Sequence, residues 1–229
     1  HVNHIEIEDD NFTLKSKHSI PILKYLKEFR EKGNPLKLSF PNGVMIDRLD
    51  REHLFAMKDA GTEIIYLPVE SGELKNLIAM NKPAAVEHLE NTLQVAEWCK
   101  EAELDAGAFF IIGYPGGQVV KKSLQNIVHE DYADSILEKN NGSMWIKGED
   151  EESFMQTVDF AKKLVKAGVK YVTPLIATPY PGTNLYDICE KYGWLRRADF
   201  SSMVTTISYQ NPKVEFVNID TPWCSANEI

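Results

Sequence analysis

Segments with strand periodicity and segments with helix periodicity alternate along most of this chain, and no other feature limits its fold so tightly. "NHIEIEDDNF" alternates, with Ile5 and Ile7 on one face and Glu6, Glu8 and Asp10 on the other. "SIPILKYLKEFREKG" follows, with Ile22, Leu23, Leu26 and Phe29 at helical spacing and Gly33 as its stop. "PLKLSFPNG" is the next strand, and "LDREHLFAMKDAG" the next helix, with Asp50 as cap and Gly61 as end. "TEIIYLPVESG", "AGAFFIIGYPGG" and "KYVTPLIATPYPGT" complete the strands. Between and after them lie helices over "PAAVEHLENTLQVAEWCKEAE", with Val86, Leu89, Leu93 and Ala96 as one stripe, over "DEESFMQTVDFAKKLVKAG" and over "NLYDICEKYGW". Strand, helix, strand in repetition predicts parallel strands joined by helical crossovers. There are about five such units, fewer than the eight of a closed barrel. No GxGxxG follows the first strand, so a dinucleotide fold has no support.

Composition narrows the function. The 229 residues carry a net charge of -9 and no lysine- or arginine-rich cluster, which argues against a nucleic-acid partner. No apolar run is long enough to span a bilayer. Cys99, Cys189 and Cys224 are far apart and odd in number, so a disulfide framework is not expected, and a reducing, cytoplasmic setting fits. The chain opens at His1 with a strand pattern almost at once, which suggests a processed or excised piece or a missing upstream segment.

The strand ends share a character. "EDDNF", "FPNG", "PVESG", "GYPGG" and "TPYPGT" each break from the body of their strand. In parallel α/β folds these ends form one rim where ligands bind. Any one of them is also an ordinary loop composition. Together, with carboxylates at Asp9, Asp10 and Glu70, they point to a site for a large polar ligand. The carboxylates of the first strand leave two readings open: a polar lumen, or a solvated edge strand. His18, His53, His88 and His129 read as surface histidines.

In order, "IEIEDDNFT", "FPNGVMIDRLD", "LFAMKDAGTEIIYLPVESGE", "NKP", "AFFIIGYPGG", "TVDFAKKL" and "ATPYPGTNLY" resemble the later strands of a radical S-adenosylmethionine enzyme. The resemblance covers roughly residues 2 to 190. It is strongest to the branch linked to a cobalamin-binding domain, of the anaerobic magnesium-protoporphyrin ester cyclase and methyltransferase type. It implies an α/β fold: a partial (β/α) TIM-like barrel of parallel strands, lacking the first two strands of the core. Residues 1–195 would form that barrel, 118–148 an insertion or lid, and 196–229 a C-terminal extension.

The resemblance also implies cofactors. S-adenosylmethionine would bind along the rim. A 4Fe–4S cluster would be held by a CxxxCxxC loop that this chain lacks, so no metal ligand is assigned here. Cobalamin would belong to an upstream domain. Carried over by position, Asn42 faces the ribose. Glu70 and Ser71 face the ribose hydroxyls or the methionine end, with Asp10 on the same rim. The "FIIGYPGG" segment, with Ile112, Gly113 and Pro115, reads adenine through its main chain, glycine letting the ligand approach. The family's glutamate shortly after the glycine-proline pair is replaced by Gln118. The segment from Gln118 to Gly148 is either a surface loop or a substrate-facing lid.

Electron transfer from the cluster to S-adenosylmethionine would yield a 5'-deoxyadenosyl radical for methyl transfer, cyclisation or oxidation of a small organic substrate. Two other classes stay open: a non-catalytic barrel fragment or binding module, and a carboxylate-based barrel enzyme. The implied partner is the upstream cluster-binding half of the same protein. The open edge of the first strand is expected to pair with that half, with a second copy, or with the tail segment "KVEFVNI".

Overall fold

The computed structural model describes residues 3–9, 11–82, 84–119, 124, 127–140, 143–196 and 218–225. Its elements are β1 (His4–Glu6), α1 (Ser16–Glu31), β2 (Lys37–Ser39), α2 (Arg51–Ala60), β3 (Ile64–Glu70), α3 (Leu74–Ala79), α4 (Ala85–Glu101) and β4 (Asp105–Ile112). Then follow β5 (Gly117–Gln118), α5 (Glu130–Ile136), β6 (Leu137–Asn140), β7 (Ser143–Ile146), α6 (Glu151–Ala167), β8 (Tyr171–Ile176) and α7 (Asn184–Tyr192). The chain divides into two compact units. Unit 1 is His1–Glu70, Val86–Phe110 and Asp159–Thr173; unit 2 is Ser71–Ala85, Ile111–Val158 and Pro174–Ile229.

The parallel arrangement expected from the alternation is present. β1 pairs with β2 in parallel, His4 opposite Lys37. β2 continues to the start of β3 through a parallel bridge between Leu38 and Thr62. β3 pairs with β4 in parallel from Ile64 opposite Asp105, with a register shift between Pro68 and Glu70. β8 is the next neighbour of β4. Lys170 N–H donates to Ala106 O at 2.8 Å and Ala177 N–H to Ile112 O at 2.9 Å, so both strands advance in the same direction. Sequential strands are thus spatial neighbours, and no barrel closes among the described residues. Within unit 1 the carboxyl ends of β1, β2 and β3 share one edge, as parallel pairing requires.

The core of unit 1 follows the strand period. Ile65, Leu67 and Val69 of β3 are fully buried, and Ala106, Ala108 and Phe110 of β4 nearly so. They pack with Leu54 and Met57 of α2, Val95 and Cys99 of α4, and Leu164 of α6. Burying each large side chain contributes about 1.5–3 kcal/mol. α2 begins where Asp50 Oδ1 accepts the His53 N–H at 2.8 Å, and stops at Gly61, whose φ is +107°.

On the other face of the same strands, Tyr66 and Phe109 stack with ring centroids 5.0 Å apart. A Cβ on Gly107 would come within 2.6 Å of the Tyr66 ring, so the glycine in "AGAFF" makes room for that stack.

Several expectations are corrected. Ile22 and Phe29 of α1 are 47% and 38% exposed, whereas Leu23 and Leu26 face the core as expected and Ile20 is buried as well. Val86 is likewise exposed. Of the two readings left open for the first strand, the solvated edge is the one observed: β1 is exposed along its length, as are Glu6 and Glu8.

His53 and His88 are not surface histidines; they are 0% and 1% exposed. Each ring nitrogen has a partner, which makes burial tolerable. His53 Nδ1 lies 3.0 Å from Asp50 Oδ1, and its Nε2 lies 3.0 Å from Ser19 Oγ. His88 Nδ1 and Nε2 lie 3.3 Å from Asp47 Oδ1 and from Val69 O.

Unit 2 has its own core. Trp145, Ala177, Cys189, Trp194 and Ile219 form it, with Tyr192 and Trp223 packed against them. The segment expected as a loop or lid contains an antiparallel sheet in the order β5-β7-β6, together with α5. It departs from the main chain at Gly117 and returns at Ile146, which are paired neighbours. An excursion that leaves and re-enters at adjacent positions does not disturb the elements around it. Of the tail segment expected to cover β1, residues 213–217 lie outside the described residues. Asn218 and Ile219 pair in unit 2, Ile219 opposite Leu195. No helix among the described residues is long and apolar enough to cross a membrane.

Candidate functional site

The glycine-rich turn after β4 is held by the chain itself. Ile112 O accepts the Ala177 N–H at 2.9 Å. Gly113, with φ +73°, donates its N–H to Glu149 Oε2 at 2.5 Å. Tyr114 O accepts the Glu149 N–H at 2.8 Å, and Pro115 O accepts Trp145 Nε1–H at 3.4 Å. Gly116 has φ +78°, and a Cβ there would collide with the Ile146 carbonyl oxygen. A Cβ on Gly117 would lie 3.1 Å from Ala79 O. The glycines at 116 and 117 therefore admit close approach of β7 and α3, not of a ligand.

Glu149 is the centre of a buried polar network. It is 2% exposed. Asn76 Nδ2–H donates to its Oε1 at 2.9 Å. Burial pushes its carboxyl up to about 7, against the opposing pull of the Gly113 N–H, of Lys75 and of Asn76. Lys75, itself buried, lies 3.3 Å from Asp150 Oδ2. Asp150 and Ser153 cap α6 reciprocally: Asp150 Oδ1 accepts the Ser153 N–H and Ser153 Oγ accepts the Asp150 N–H, each at 2.9 Å.

The end of β3 feeds the same network. Ser71 Oγ lies 3.1 Å from Thr157 Oγ1 and accepts the Glu73 N–H at 3.1 Å. Glu73 caps α3 through Oε2, which accepts the Asn76 N–H at 3.0 Å; its Oε1 accepts the Tyr132 hydroxyl at 3.0 Å. Tyr132 belongs to α5, so the inserted segment is tied to the cap of α3 by a partly buried bond. Burial beside Glu73 pushes that phenol above its ordinary range.

The residues singled out in the sequence fall in different places. Ser71, Ile112, Gly113 and Pro115 belong to unit 2, Asn42 and Glu70 to unit 1. Asn42 is exposed and donates to Glu8 O at 3.0 Å. Glu70 ends β3 in the left-handed region, φ +67°, an uncommon conformation for glutamate. Asp10 lies outside the described residues.

Sequence reasoning missed Glu149, Lys75 and Asn76. One signal was present: Gly148-Glu149 is a glycine-acid step just ahead of the helix that begins at Glu151. Glu149 stands 36 positions beyond Gly113 and reaches back to it.

A cavity of about 650 Å³ adjoins this network in unit 2. Its lining includes Ile112, Gly113 and Glu149, then Asp150, Glu151, Phe154 and Met155 around the start of α6, and Trp223 and Cys224 from the tail. The volume is that of a small-molecule site, with apolar walls and a few carboxylates. Among the described residues no three His, Cys, Asp or Glu side chains converge to hold a metal ion. Cys99 and Cys189 are buried thiols pushed up to about 12 by burial. These residues do not fit an iron–sulfur cluster.

Comparison with known proteins bears on the fold. No family model matches the chain. An uncharacterized methyltransferase from Pyrococcus horikoshii is 27% identical over 186 residues, which are 81% of this chain and 31% of that protein. The structure of the radical S-adenosylmethionine methyltransferase TsrM from Kitasatospora setae, with cobalamin and a [4Fe-4S] cluster bound, superposes with a TM-score of 0.56. That match has 16% identity and covers 85% of this chain and 32% of TsrM. The chain thus spans about a third of the length of each of these proteins. A ribbon of parallel strands in sequential order, open rather than closed, and a superposition over most of its length lead to one conclusion: this chain has the fold seen in a radical S-adenosylmethionine methyltransferase.

Proposed function

We propose that the chain is the C-terminal part of a radical S-adenosylmethionine methyltransferase, and that the cavity of unit 2 takes the adenosyl portion of S-adenosylmethionine. One observation carries this reading. Ile112 and Gly113, in the segment that the resemblance assigns to adenine, line a ligand-sized cavity beside a buried carboxylate. The shared fold and the methyltransferase relative support it.

In this reading Glu149 fixes the turn after β4. Gly113 N–H and Ile112 O are already engaged within the chain, so the purine donors meet the remaining lone pairs of Glu149. Ile112 supplies an apolar wall. Ser71 shapes the end of β3 through Thr157, and Pro115 anchors Trp145. Asn42 and Glu70 belong to unit 1 and Asp10 lies outside the described residues, so none of the three is assigned to this cavity.

Bound S-adenosylmethionine supplies the reactive sulfonium; the residues described here bind it, orient it and exclude water. In this reading the cluster belongs to a cluster-binding half of the same protein and cobalamin to a further domain. Among the described residues β1 has a strand neighbour only on its β2 side, and its other edge is the proposed contact for that half or for a second copy. Three free cysteines accord with a reducing, cytoplasmic setting.

The test is photo-crosslinking of the whole chain with labelled S-adenosylmethionine, followed by peptide mapping. Label is expected in the peptide around Ile112 or in the one around Trp223. Saturable label confined to other peptides overturns the site.

A second reading has its own observation. A carboxyl pushed up to about 7 in a cavity is suited to general acid–base work. That reading gains if labelled S-adenosylmethionine fails to crosslink anywhere.

A further inference from the structure

Trp223 comes from the far end of the chain, yet three sets of contacts within unit 2 fix it beside the cavity. Asn218–Asp220 lies antiparallel to Trp194–Arg196: Arg196 N–H donates to Asn218 O at 3.0 Å and Asp220 N–H to Trp194 O at 2.9 Å. Thr221 then closes a turn. Its N–H donates to Cys224 O at 3.1 Å, and its Oγ1 accepts the N–H groups of Trp223 at 3.3 Å and Cys224 at 3.0 Å. Finally, the indole meets Trp194 edge-on, 5.4 Å between ring centroids, and lies over Gly148.

A Cβ on Gly148 would come within 2.6 Å of the Trp223 ring. Gly148 directly precedes Glu149. The space for the indole is therefore made by the neighbour of the buried carboxylate. Trp194 is in turn tied to Tyr192 and Trp145, at centroid distances of 5.2 Å and 5.6 Å. Trp223 is thus the outer member of an aromatic chain rooted in the core of unit 2. Unlike Trp145, it is only partly buried, and it lines the cavity with Ile112, Gly113 and Glu149.

We propose that Trp223 is the specificity-determining wall of this cavity, the face on which a planar heteroaromatic group of neutral or cationic charge stacks. The lining supplies carboxylates at Glu149, Asp150 and Glu151 and no basic side chain, so an anionic group is disfavoured. An indole preorganised by its neighbours stacks a flat ring at little entropic cost. The identity of the ligand rests on the adenosyl reading above; the position of the wall does not.

Cys224 is a built-in reporter. It lines the cavity, whereas Cys99 and Cys189 are buried with thiols pushed up to about 12. Iodoacetamide at mildly alkaline pH therefore reads Cys224.

Without ligand, Trp223→Ala is expected to speed Cys224 alkylation about tenfold or more and Trp223→Phe less than about threefold, since phenylalanine keeps the aromatic wall. Circular dichroism confirms that both variants fold. Equal rates in the Ala variant and the parent chain overturn the wall. With S-adenosylhomocysteine, protection of Cys224 is expected, and Trp223→Ala weakens binding about tenfold in equilibrium dialysis while Trp223→Phe keeps it within about threefold.

Binding without protection, and without an effect of Trp223→Ala, overturns the wall and leaves the adenosyl reading standing. No binding to the parent chain overturns the adenosyl reading. The alkylation is then run with adenosine and with proflavine, a planar cation. Protection by either upholds the wall, and protection by neither overturns it.

Discussion

Glu149 accepts the backbone N–H of Gly113 at 2.5 Å, although the two stand 36 positions apart and a separate antiparallel sheet lies between them in sequence. A charged acceptor on a main-chain donor is a strong bond. Here it is also a costly one, because the carboxylate is buried.

That cost sets a pH dependence. The Glu149 carboxyl moves from 4.5 up to about 7 on folding, chiefly through burial. The folded chain therefore holds the proton where the unfolded chain has lost it. The associated stability is fully present below about pH 4.5 and is lost as pH rises through about 7. Its upper bound is about 3 kcal/mol. Glu149→Gln keeps an acceptor for Gly113 and does not titrate. Urea unfolding at about pH 5 and about pH 8 should show the parent chain losing stability relative to the variant as pH rises. Parallel profiles for the two proteins count against the buried carboxyl.

The inserted segment should be removable. Gln118 pairs with Trp145 as an antiparallel neighbour, so residues 119–144 can be replaced by Asn-Gly, a two-residue hairpin turn. Trp145 stays in the core of unit 2. The shortened chain loses the bond from Tyr132 to Glu73 and the burial of Leu124 and Ile136, and stability should fall by about 3–6 kcal/mol, chiefly from the two apolar side chains, while unfolding stays cooperative. Loss of the near-ultraviolet dichroism would show that the segment is integral to the fold.

Ser19, His53 and Asp50 form a relay of 3.0 Å hydrogen bonds that resembles a hydrolase triad. Ser19 is 1% exposed and His53 0%, so a substrate has no access, and the relay serves to tie α1 to α2. A fluorophosphonate probe should leave Ser19 unlabelled in the folded chain. Ser19→Ala should cost about 1–3 kcal/mol, because a buried ring nitrogen loses its partner. Labelling of Ser19 at a rate above that of the unfolded chain would falsify the structural assignment.

Gly107 and Tyr66 should be coupled. Adding a Cβ at position 107 forces the Tyr66 ring from its stack on Phe109. Gly107→Ala is expected to destabilise by about 1–3 kcal/mol. In the Tyr66→Ala background the same substitution should cost much less, since the obstructing ring is gone. Additive costs in the double-mutant cycle would contradict the contact.

Much of the architecture was readable because it is local. The alternation in "TEIIYLPVE" survives as Ile65, Leu67 and Val69 buried on one face. Asp50 and Gly61 bound α2 as their side chain and backbone freedom suggest. Strand and helix periods, caps and short crossovers involve neighbours along the chain, so a run of residues is enough to show them.

What the chain alone determined is therefore a ribbon of parallel strands in sequential order, together with the motif order that resembles one enzyme superfamily. Only the tertiary structure decided which polar groups are buried together. It turned His53 and His88 inward, set Glu149 against Gly113, and brought Trp223 over Gly148. The reason is physical. A buried polar or aromatic side chain is tolerated wherever the folded chain supplies a partner, and that partner can lie at any distance along the sequence. No period or spacing records it.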